Sequence, residues 1–84
     1  MRMGVGDMSP EKLISELSRM HKSGALSGEK NAMLVLFGVM YSKEIQDCGV
    51  SIDNLAERAT GRKGPYIRAG MKLAKYVEVK NEYI

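Results

Sequence analysis

A chain of 84 residues holds one hydrophobic core, because it buries only about 60–65% of its unfolded surface and has no material for a second. With 44% hydrophobic and 27% charged residues it lies outside the polar, highly charged range of disordered chains and is expected to fold. A net charge of +3 leaves the partner open, while one Cys and one His exclude an internal disulfide framework and the usual thiolate or imidazole metal clusters within one chain.

Residues 1–8, MRMGVGDM, combine glycines, Asp7 and scattered methionines without a long apolar run, so a flexible lead-in is predicted and a secretory signal is not. Ser9-Pro10-Glu11 opens the first helix: a serine N-cap, a proline whose missing N–H costs nothing at the first position, and an acid at the positive end of the dipole. Leu13, Leu17 and Met20, flanked by Ile14, form its apolar stripe, and the helix is expected to span 9–23, ending near Lys22 ahead of Gly24. His21 reads as a surface residue near that end, where a partly cationic imidazole suits the dipole.

The loop SGALSG leads to a second helix predicted over 29–45. Its apolar stretch Ala32–Tyr41 is 10 residues long, about half of the roughly 20 that cross a bilayer, so it is a core helix and not an anchor. Apolar residues occupy nearly every face, which requires cover from the rest of the domain or from a second subunit. Gly38 inside it costs up to about 1 kcal/mol against alanine and points to a close approach by another backbone. Cys48 follows as a loop or edge-of-core thiol, compatible with a reducing, cytoplasmic setting.

Val50 is expected to form a very short extended segment running into a third helix, capped by Ser51, with Asp53 in the first turn and Ile52, Leu55, Ala56 and Ala59 on one face. After TGRKG, Pro65 starts a fourth helix expected to reach about Tyr76. Ile67, Met71 and Ala74 line its inner side, with Gly70 adjacent, while Arg68, Lys72 and Lys75 form one outward stripe that contains no acid. The tail YVEVKNEYI alternates and then turns, which predicts a strand and the start of a hairpin.

Charge is uneven along the chain. Before position 58 there are six cations against eight acids, a net of −2, and from Arg58 onward seven against two, a net of +5. A basic final third suits a polyanionic partner.

The order helix, apolar helix, short extended segment, capped helix, turn, basic helix, hairpin, carried by VSIDNLAERATGRKGPYIRAGMKLAKYVEVKNEYI, resembles the winged helix-turn-helix family of DNA-binding domains. The resemblance implies a mainly α fold: one domain over 9–84, a three-helix core within 29–84, an additional N-terminal helix over 9–23, and a short C-terminal β-hairpin as the wing. It implies double-stranded DNA as the partner, a recognition helix over about 65–76, and a role as a transcriptional regulator or DNA-reading subunit, acting as a homodimer through the N-terminal or the central apolar helix. By the same resemblance Arg62, Lys63 and the Gly64 N–H grip the DNA backbone. Tyr66 and Arg68 reach base edges, Lys72 and Lys75 add salt-dependent affinity, and Lys80 approaches a phosphate from the wing.

The competing reading is a winged-helix interaction or assembly module without nucleic-acid binding, in which the apolar helix 29–45 or the Ser9 helix makes the contact and the basic stripe is a solvated helix face. Enzyme activity is not expected. One His and one Cys assemble no nucleophile, base and orienting acid, no phosphate-binding glycine motif is present, and neither a cofactor nor a small-molecule substrate is implied.

Overall fold

The computed structural model describes residues 8–78. Two serines set helix starts, as expected. Ser9 (φ −70°, ψ 159°) accepts the Lys12 N–H on its Oγ at 3.2 Å and begins α1, Pro10–Ser27. Ser51 (φ −67°, ψ 153°) accepts the Asn54 N–H at 3.1 Å and begins α4, Ile52–Thr60.

α1 runs beyond the predicted end near Lys22, through Ser23 and Gly24. Gly24 is no stop because it serves packing: a Cβ there would lie 2.7 Å from both Lys30 Cα and Met33 Cγ, so its bareness lets the next helix start against α1. The helix ends instead at Gly28, left-handed at φ 76°, where the Glu29 N–H reaches back to the Gly24 carbonyl at 2.6 Å and that of Gly28 to Ala25 at 3.5 Å.

The single helix expected over 29–45 is two helices, α2 (Lys30–Met40) and α3 (Ser42–Asp47). They bend at Tyr41 (φ −117°, ψ 23°), whose ring lies 5.1 Å from that of Phe37. Hydrogen bonding carries through the bend, with the Tyr41 N–H on the Phe37 carbonyl and the Ile45 N–H on the Tyr41 carbonyl. The change of direction accompanies burial of Ile45 on α3 alongside Leu34 and Phe37 on α2. After the turn at Gly49 (φ 81°) Val50 forms no extended strand and leads directly to α4.

α5 spans Pro65–Leu73, shorter than the predicted 65–76, because residues 74–76 form a turn in which the Tyr76 N–H bonds the Leu73 carbonyl. α2 packs against both α1 and α5, and α1 reaches α4 as well. Leu13, Leu17 and Met20 from α1, Leu34 and Phe37 from α2, Ile45 from α3, Leu55 and Ala56 from α4, and Ile67 from α5 form the core. The stripe Leu13, Leu17 and Met20 of the first helix is thus buried within this core.

The winged fold is corrected. Among the described residues there are five helices and no strand, so the mainly α expectation resolves to an all-α arrangement without a wing. Val77 and Glu78, where the first wing strand was expected, are exposed and lie in no strand, and the rest of that hairpin, residues 79–84 with Lys80, lies outside the described residues. Alternation over four residues is a weak signal, because a hairpin gains stability only when further strands or an apolar surface cover it.

Candidate nucleic-acid interface

The segment from α4 to α5 is built around one acid. α4 closes at Gly61 (φ 78°), whose N–H bonds the Glu57 carbonyl at 2.9 Å. Thr60 Oγ1 donates to the Ala56 carbonyl at 2.8 Å and accepts the Arg62 N–H at 3.2 Å, which fixes the start of the turn. At its far end Asp53 Oδ1 accepts the Gly64 N–H at 3.2 Å and Arg68 Nη1 at 3.0 Å. One carboxylate thus joins the first turn of α4, the entrance of α5 and a side chain one turn into α5. The Arg68 hydrogen bond first, and the Gly64 N–H after it, hold the Asp53 carboxyl below the ordinary aspartate range.

Gly64 itself is buried. A Cβ there would meet Ile52 Cγ2 at 2.9 Å and Ala56 Cβ at 3.3 Å, so a glycine facing an alanine is what lets the turn fold down onto α4. Ala56 is itself buried, and the surface that packs over its Cβ at this point is the turn.

The cations lie outside. Arg62 and Lys63 are exposed on the turn, and Arg68, Lys72 and Lys75 are exposed on α5 and the turn that follows it. Ile67 and Gly70 are buried on the opposite side of α5, against α2. Tyr66 is 45% exposed, so its ring is not a core residue. From Arg62 to Val77 the chain has five cations and no acid, and the nearby carboxylate of Asp53 comes from α4. Arg68 gives one nitrogen of its five-donor fork to Asp53 and keeps 49% of its side chain exposed. The Gly64 N–H is committed to Asp53. Lys80 lies outside the described residues.

Sequence reasoning treats Asp53 as a dipole-compensating acid and misses its part in the turn, since its partners stand 11 and 15 residues away and no local pattern links them. It also misses Lys43 on α3, which the fold brings across a groove from Lys75.

Among the described residues no group of three or more His, Cys, Asp or Glu is placed to hold a metal ion, and no helix is long and apolar enough to cross a membrane. A family model described as an HTH-like domain matches residues 9–80, beginning at the N-cap of α1 and thus including the first helix. The resemblance to the winged helix-turn-helix family is corrected to this broader description, because the wing is the part that the described residues lack. No curated protein and no solved structure matches the chain.

Proposed function

The chain belongs to the HTH-like domain family, and from that premise we propose that it binds double-stranded DNA, with α5 as the recognition helix and the TGRKG turn as its phosphate-facing entrance. The observation that carries this reading is the set of five exposed cations in the acid-free run from Arg62 to Lys75, borne by the turn, by a helix whose inner side is packed against α2 and whose entrance is tied to α4 by Asp53, and by the turn that follows it. Arg62 through its guanidinium and Lys63 through its ammonium contact phosphates, in place of the Gly64 N–H. Tyr66 and Arg68, near the start of α5, reach base edges, where an arginine fork pairs with guanine. Lys72 and Lys75 follow the backbone and supply affinity that salt weakens.

A transcriptional regulator or a DNA-reading subunit, in a cytoplasmic setting, is the role that fits such a domain. Catalysis forms no part of the reading. Leu13, Leu17, Met20 and Phe37 lie inside the chain's own core, so a second copy or partner would have to use other residues of α1 or α2.

The test is titration of a labelled random-sequence duplex at two salt concentrations. Binding that weakens steeply with salt, and further weakens in Arg68→Ala and Lys72→Ala, supports the proposal. Duplex binding that is undetectable at low salt, or indifferent to both substitutions, refutes it.

A further inference from the structure

A groove of about 260 Å³ opens between α3 and α5, lined by Ser42, Lys43 and Gln46 on one wall and by Met71, Ala74 and Lys75 on the other. At roughly 30 Å³ per water it has room for a phosphate group and several waters. Its polar lining residues are two lysines, a serine and a glutamine, with no acid, so the chemistry it accepts is anionic. Gln46 Nε2 donates to Ser42 Oγ at 3.4 Å, which ties the polar groups of the α3 wall together. Lys75 belongs at once to this groove and to the outward row of Arg68 and Lys72, so a polyanion that follows the row arrives at the groove mouth. Lys43 comes from the part of the chain whose net charge is −2, and the fold alone joins it to the basic third.

We propose that this groove receives a backbone phosphate of the bound duplex between Lys43 and Lys75, extending the footprint from the α4-turn-α5 unit onto α3. The assignment rests on the duplex-binding reading above. It makes Lys43 a phosphate contact at a position where neither helix periodicity nor charge clustering marks one.

The experiment follows a labelled random-sequence duplex by fluorescence anisotropy across a salt series, with the full chain as wild type, Lys43→Gln, Lys72→Gln and Lys22→Gln. Lys43 and Lys22 are both exposed, so neither substitution disturbs the core. Losing one phosphate contact lowers the magnitude of the log affinity against log salt slope by about 0.9. The expected result is that loss for Lys43→Gln and for Lys72→Gln, and an unchanged slope for Lys22→Gln on α1. A wild-type slope in Lys43→Gln beside a reduced slope in Lys72→Gln overturns the groove assignment and leaves duplex binding standing. Equal losses in Lys43→Gln and Lys22→Gln also overturn it, since they report total charge and not a site. No duplex binding by the wild type at low salt overturns both.

Discussion

Gly38 of α2 and Gly70 of α5 meet backbone to backbone. A Cβ on Gly38 would lie 3.0 Å from Gly70 Cα and 2.9 Å from the Met71 nitrogen, and one on Gly70 would lie 3.0 Å from Gly38 Cα while overlapping the Val35 carbonyl. This crossing sets the depth at which α5 sits on α2 and therefore how its basic side stands away from the core.

Alanine at either position gains up to about 1 kcal/mol of helix propensity but must displace backbone atoms, which yield less readily than side chains. The clash wins. Gly38→Ala and Gly70→Ala are each expected to lose about 1–3 kcal/mol by urea denaturation, as for an overpacked core. A variant more stable than wild type would show that the helices separate at little cost.

The place of α1 in the domain gives a second prediction. Leu17 is fully buried between α1 and its neighbours, and Leu→Ala at such sites costs about 2–5 kcal/mol. In a domain this small that loss removes much or all of the stability. Unchanged thermal unfolding of Leu17→Ala would mean that α1 is a detachable arm.

Asp53 supplies a third, with a defined pH window. Its carboxyl is held below the ordinary range in the folded chain, so the stability it contributes is fully present above the unfolded value of about 3.9 and is lost as pH falls through the lower folded value. The melting-temperature gap between wild type and Asp53→Asn should therefore be constant above about pH 5 and shrink at more acid pH. Asparagine can still accept the Gly64 N–H, so Asp53→Ala should melt lower than Asp53→Asn at pH 7. Equal melting of all three proteins would remove the clamp from the account.

What the sequence reveals here depends on how local the signal is. The caps at Ser9 and Ser51 and the start at Pro65 are legible because donor, acceptor and ring constraint lie within three residues. Gly38 is legible as a cost that needs a reason, but its counterpart Gly70 is 32 positions away and reads only as part of an inner face. Gly24 misleads, since one residue type serves both to end a helix and to let another pack on it, and only Gly28 adopts the left-handed conformation that ends α1. The bend at Tyr41 has neither proline nor glycine to mark it, and an apolar run without period hides it. At the candidate interface the cations are legible from charge alone, whereas the Asp53 clamp and the Lys43 groove arise from contacts that only folding makes.

The most direct test of the central claim, that the outward side of α5 and its turn bind duplex DNA, is the salt dependence of duplex affinity for wild type and for the triple variant Arg62→Gln, Lys63→Gln, Lys72→Gln. All three side chains are exposed, so the variant should keep the helical circular dichroism of the wild type. The wild type is predicted to bind at low salt with a slope of at least about −4 in log affinity against log salt, and the triple variant with a slope smaller in magnitude by about 3. Absence of wild-type binding at low salt, or a triple variant with the wild-type slope, would contradict the claim.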